Sequence, residues 1–435
     1  LPSDPLDAGL LSPATVGHDR LVSDGAYLDA LVRAEGALVT AYADRGLAAR
    51  EIADAVARAL DGSAHGVDLD AVAAAAVAGG NPVIPLVGEL KSRVPAECRP
   101  WIHRGATSQD ILDTATMIVA RAAVAQVCAS LTHTAQWLRA LAETHADTVA
   151  AARTLTQHAV PTTVGARAAA WERGIRRSLE RLDALVFPAQ LGGAAGTLAS
   201  FVEITGSVDA AAALPAAYAE AAGLDAPDAP WHVTRWPVTE LGDALTQAID
   251  AVAKVAADVG TLSRTEIGEI AEGTGGGSSA MPQKQNPAEA VLIRSAALRA
   301  PQLAATLHLA AALAVDERPD GAWHAEWPTL RELLRLALGA SGHAASLAAH
   351  LRVDTDAVAR NLALTGGRIV SERLRGVLVP LIGADRFAAL VGGEGDLGDA
   401  LRALPETRDL DIDALLDPAA YVGLAPHLAR TEDPR

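Results

Sequence analysis

Residues 273–287 read GTGGGSSAMPQKQNP. The glycine run gives backbone freedom and lets N–H groups approach a ligand closely. Ser278 and Ser279 add hydroxyls; Lys284 and Asn286 add a cation and an amide. A loop of this make-up can close over an anionic substrate and deliver a base to it. A second group is His103 with Thr107, Ser108 and Gln109, in HRGATSQD. There the unpaired N–H groups at a helix start would favour an anion, or would simply be capped by Ser108 or Asp110. RTLTQHAVP offers Thr154, Gln157 and His158. Arg235, in PWHVTR, and Arg318, in DERPDGAWHAEW, can each clamp a carboxylate in a bidentate fashion. The run Gly192–Thr197 lacks a following Lys-Ser/Thr, so it reads as a tight turn rather than a phosphate loop. Trp323 and Trp327 stand one helical turn apart, which suits packing.

Helical segments must position these groups. Residues 26–60 carry Leu28, Leu31, Val32, Leu38 and Val39 at helical spacing, with Glu35 interrupting the stripe. Periodicity predicts long helices over 110–146, 162–187 and 238–272, from Pro287 to about 316 with a kink at Pro301, and over 328–351. Five such segments with few strand signals imply an elongated bundle. Faces of this length would leave apolar surface exposed in a monomer.

The chain has 435 residues, half of them apolar and only 3% aromatic, so its apolar faces are mostly Ala, Leu and Val and permit close helix approach. A formal charge of −17 argues against nucleic acid and anionic membrane surfaces. It also means that an anionic substrate needs a local positive site. Cys98 and Cys128 suggest neither a disulfide framework nor a zinc site, and a reducing cytoplasm is the simple reading. No signal peptide is visible, stretches such as 304–315 are too short to span a bilayer, and no metal or cofactor motif is apparent.

The string SSAMPQKQNP resembles the signature loop of the aspartase/fumarase superfamily, roughly GSSxMPxKxNP. GGNPVIPLV, HRGATSQDILDTA, RTLTQHAVPTT, QLGGAAGTLA, PWHVTR and GAWHAEW extend the likeness over nearly the whole chain, most like the bacterial 3-carboxy-cis,cis-muconate cycloisomerases. The resemblance implies an all-α fold of three helical domains (1–100, 101–347, 348–435) with a central long-helix bundle. It further implies a homotetramer whose active sites take residues from three subunits. The chemistry implied is proton abstraction next to a carboxylate, through an aci-carboxylate carbanion stabilised by preorganised donors. Ser278 matches the family's base, while Lys284 and Asn286 would hold the carboxylate that takes up charge. Thr107 and Ser108 would bind a carboxylate, and the histidine matching His103 lies in the active site of adenylosuccinate lyases. Fumarases carry histidine where this chain has Leu155; cycloisomerases share that loss and carry a later histidine, here His158. The general acid is therefore left open.

Three functions follow. The first is lactonisation of 3-carboxy-cis,cis-muconate. The second is a fumarate-releasing β-elimination from a substituted succinate, with an amine or nitro group leaving. Trp236, Gln283 and Gln285 are departures from the cycloisomerases that keep this second reading alive. The third is a silent structural protein of the same fold, against which the intact loop argues.

Overall fold

The computed structural model describes residues 8–60, 66–274, 276–277, 281 and 283–431. Its six longest helices, numbered in chain order, are α1 (Asp24–Asp44), α2 (Ser108–Thr144), α3 (Val164–Asp183), α4 (Trp236–Leu262), α5 (Ala288–Ala312) and α6 (Gly321–His350). The predicted bundle helices are all present, and α4 stops at Leu262. Beyond it, Ile270–Glu272 is a short strand, β3, paired antiparallel with β4 (Leu351–Val353). α5 contains Pro301, and α6 starts seven residues before Pro328, so that proline lies inside the helix.

A hairpin that helical periodicity did not foretell follows α2: β1 (Val149–Thr154) against β2 (Gln157–Thr163). Its two-residue turn holds Leu155 at φ 47° and Thr156 at φ 71°. Positive φ at both positions is the geometry that favours Asn-Gly, and Leu-Thr gives no such signal.

The described residues gather into two compact units: Leu1–Ala129, Ser178–Asp250 and Ser295–Gly342 form the first; Ser130–Arg177, Ala251–Arg294 and His343–Arg435 form the second. The division falls inside each of α2 to α6.

In the first unit, α1 buries Leu28, Leu31, Val32, Glu35, Leu38, Val39 and Tyr42, the i, i+3, i+4, i+7 face, and packs on Leu214–Ala222. The first turns of α2 bury Gln109, Asp110, Asp113 and Thr114 beside Ile111 and Leu112. Buried polar groups of this kind need partners. In the second unit, neighbouring residues of β1 point to opposite faces. Ala150 joins Val164 and Val358, while Ala151 joins Ile369, Leu374, Leu378 and Phe387. The hairpin is thus fixed from both sides. An 18-residue window of α2 is long and apolar enough to cross a bilayer, yet 67% of it is buried inside the protein.

Candidate active site

The first unit builds a turn at the start of α2. The helix begins at Ser108, and Asp110, at its third position, reaches back to accept the Thr107 N–H at 2.9 Å. This is a capping-box arrangement, which puts Thr107 rather than Ser108 or Asp110 at the cap. The same carboxylate accepts N–H groups from Gly192 (2.8 Å) and Gly193 (3.0 Å) and meets Nε2 of His232 at 2.8 Å. Gly192 has to be glycine, because a Cβ there would stand 2.8 Å from the His232 ring. Asp110 thereby ties three chain segments together behind Thr107 and Ser108, which stay partly exposed. His232 is almost fully buried, and its Nδ1 has no hydrogen-bond partner among the described residues.

Gln109 does not face outward. Its side chain is buried and donates to the His232 carbonyl at 2.9 Å, while its Oε1 has no hydrogen-bond partner among the described residues. The expected substrate role of Arg235 is corrected. Its guanidinium is buried between Asp113 (2.7 and 3.0 Å) and Glu326 (2.6 to 3.1 Å), and it also donates to the Trp231 carbonyl. Burial works against its charge, but the two carboxylates outweigh that and push its pKa upward. No donor is left for a substrate. Trp323 completes the cluster by donating Nε1–H to Asp113 at 3.0 Å. Arg318 is exposed and donates to the Ala194 carbonyl at 2.9 Å, on the turn that follows Gly193. His103 meets the buried carboxylate of Glu35 at 2.7 Å.

The second unit holds a cavity of about 930 Å³ lined by Arg153, His158, Arg167, Lys254, Arg264 and Asn361, among others. Asp258 and Glu266 also line it, and Lys254 pairs with Asp258. Glu269, 1% exposed at its side chain, ties three of these lining residues together. It accepts both terminal nitrogens of Arg153 and the amide of Asn361 (2.9 Å), and lies 3.6 Å from Arg167 Nη1. Burial raises the Glu269 pKa, yet the hydrogen bonds and cations bring it below the usual glutamate value. His158 sits opposite Arg153 in the hairpin. Burial, and then Arg153, lower its pKa, while Glu269 acts to raise it. Its Nδ1 is buried without a partner among the described residues. Thr154 and Gln157 pair across the exposed hairpin tip.

The stem of the glycine loop is also in this unit. Glu272 accepts the N–H groups of Glu289 (3.2 Å) and Ala290 (2.8 Å) at the start of α5. Gly276 and Asn286 pair backbone to backbone at 2.8 and 2.9 Å. Lys284 is exposed. Ser278 and Ser279 lie outside the described residues. Among the described residues no group of three His, Cys, Asp or Glu side chains could hold a metal ion.

Sequence reasoning missed Glu35, His232, Glu269, Arg153 and Arg167 as members of these clusters. Glu35 alone left a trace, a charge on an apolar helix face.

The lyase family model matches residues 18–301. The nitrosuccinate lyase of Streptomyces davaonensis is 46% identical, over 97% of this chain and 94% of that protein. The 3-carboxy-cis,cis-muconate cycloisomerase of Pseudomonas aeruginosa is 39% identical, over 82% and 80%. The crystal structure of the 3-carboxy-cis,cis-muconate lactonizing enzyme from Pseudomonas putida superimposes with a TM-score of 0.88 at 33% identity, over 97% of both chains. All-α architecture, loop motif and relatives agree: this chain is an enzyme of the lyase family, within the aspartase/fumarase superfamily.

Proposed function

We propose that this enzyme eliminates nitrite from nitrosuccinate and releases fumarate. The carrying observation is the 46% identity to a nitrosuccinate lyase over almost the entire chain. The hairpin supports it. Its exposed tip presents Leu155, which by the family resemblance replaces the histidine of fumarases as it is replaced in cycloisomerases, and nitrite departs as a stable anion that needs no proton from an acid there. Ser278, at the family's base position, takes the proton from the CH₂ carbon. That C–H pair becomes the aci-carboxylate and then the C=C bond. The C–N bond breaks, and its electrons leave with nitrite. Thr107 and Ser108 hold one carboxylate, and Lys284 and Asn286 hold the one that takes up charge. His158, beside Arg153, binds rather than donates a proton.

The experiment is to mix purified enzyme with nitrosuccinate and follow fumarate by ultraviolet absorbance and nitrite colorimetrically. Equimolar products that vanish in Ser278→Ala are expected; absence of both products from the intact enzyme overturns the reading. The second reading, lactonisation, is favoured by the Pseudomonas aeruginosa and Pseudomonas putida likenesses, and turnover of 3-carboxy-cis,cis-muconate in the same assay would select it.

A homotetramer with active sites shared between subunits belongs to this proposal. The exposed Leu298 and Leu309 of α5, with Leu313 just beyond its end, are the kind of surface that assembly would cover. Native mass spectrometry tests it. Neither Cys98 nor Cys128 is joined in a disulfide, which fits a cytoplasmic enzyme.

A further inference from the structure

Glu35 has no exposed surface, although it sits on the apolar stripe of α1. A buried carboxylate is costly unless it is fully partnered. Both of its partners belong to one residue: Oε2 accepts the His103 N–H at 3.0 Å, and Oε1 meets His103 Nδ1 at 2.7 Å. Two turns along α1, Tyr42 donates its hydroxyl to the Arg104 carbonyl at 2.6 Å. The Arg104 guanidinium lies 4.4 Å over Trp101, whose ring is 5.6 Å from that of Tyr42. One helix face thus grips an N–H and a C=O of consecutive residues, just before Gly105 and the Thr107–Ser108 turn.

His103 is held at φ 58°, a left-handed conformation that few side chains favour. Asparagine adopts it readily, and its amide could also donate to Glu35. Anchoring the backbone therefore does not call for an imidazole. What the imidazole adds is a second nitrogen. With both Glu35 oxygens accepting, Nδ1 carries the proton, and Nε2 is the ring atom turned away from the buried carboxylate. The His103 side chain keeps 20% of its surface exposed.

We propose that Glu35 is a positioning residue: it orients His103 so that Nε2 meets a carboxylate of a C4-dicarboxylate beside Thr107 and Ser108. This rests on the proposed use of that turn as a carboxylate site. A carboxylate only accepts, so Nε2 meets it as an N–H donor, with the ring between two carboxylates. Such a ring stays oriented only while Glu35 holds the far side.

The test uses the full-length enzyme with succinate and fumarate as calorimetric probes and nitrosuccinate for kinetics. His103→Asn keeps the φ and a donor to Glu35, so its melting temperature should match the parent. Its Kd for the dicarboxylates should rise at least roughly tenfold, a loss of about 1.4 kcal/mol, and KM should rise with it. Glu35→Gln should raise KM more than it lowers kcat. His103→Asn with parental Kd overturns the proposal. So does a folded Glu35→Gln with parental KM, or a parent enzyme that binds neither dicarboxylate. A parent that binds succinate yet leaves nitrosuccinate intact overturns the proposed reaction and leaves the role of Glu35 standing. If Glu35→Gln does not fold, His103→Asn decides alone.

Discussion

Asp110 Oδ1 lies 2.8 Å from Nε2 of His232, and the same carboxylate accepts three backbone N–H groups from two separate turns. Buried carboxylates with this many donors act as joints. Asp110→Asn turns an amide NH₂ toward groups that only donate, and each buried donor left without an acceptor costs about 1–3 kcal/mol. Lower stability in urea, and a higher KM from a loosened Thr107–Ser108 turn, are expected. Unchanged unfolding would show that the joint carries no strain-bearing role.

Arg235 belongs to the same buried layer but has a different task. Removing it strands Asp113 and Glu326 side by side. Breaking a buried ion pair from one side typically costs about 3–5 kcal/mol. Arg235→Met is expected to lose stability on that scale in denaturant titration. If the variant keeps its midpoint and loses only substrate affinity, Arg235 is a substrate clamp after all.

Glu269 and His158 carry pH signatures of the same sign. Glu269 has a depressed pKa, so its stabilisation is full above the ordinary glutamate value of 4.5 and is lost as pH falls through the lower folded value. His158 titrates below its ordinary 6.5, so charging it under acid also opposes folding. Glu269→Gln removes the one neighbour that raises the His158 pKa. The His158 midpoint, read by NMR, is expected to sit below 6.5 and to fall further in that variant. An upward move would contradict the geometry.

Helix approach is limiting where α3 begins. A Cβ on Gly165 would stand 2.4 Å from the Ala142 carbonyl oxygen and 2.6 Å from the Ala146 Cα, both backbone atoms of the preceding chain. Gly165→Ala is expected to cost roughly 1–3 kcal/mol. Gly174, with nothing within 4 Å of its Cβ position, is the control. There alanine should add up to about 1 kcal/mol through helix propensity. Differential scanning calorimetry on the two variants should move the melting temperature in opposite directions.

Leu155 and Thr156 make the hairpin turn at positive φ. Replacing the pair with Asn-Gly relieves about 1–2 kcal/mol per residue of left-handed strain. A higher melting temperature is expected, and a lower one would mean that exposed Leu155 is held by a contact the geometry does not account for.

The long helices were legible in the sequence because burial of Ala, Leu and Val on one face repeats every 3.6 residues, a local signal. The loop motif and the capping sequence ATSQD were legible because their chemistry lies in consecutive residues. Ser278 remains a sequence assignment. The hairpin was not legible, since Leu-Thr carries no turn signature and its strands are fixed by packing on residues beyond 350. Arg235 had the right chemistry for substrate, but only its surroundings decided its use. A guanidinium offers the same five donors on paper whether it faces solvent or two buried carboxylates. Glu35 shows the same limit from the other side: the sequence could register a charge out of place on α1, and only folding brought it His103, 68 residues away. Desolvation and partnering depend on which distant segments meet, and no local pattern encodes that.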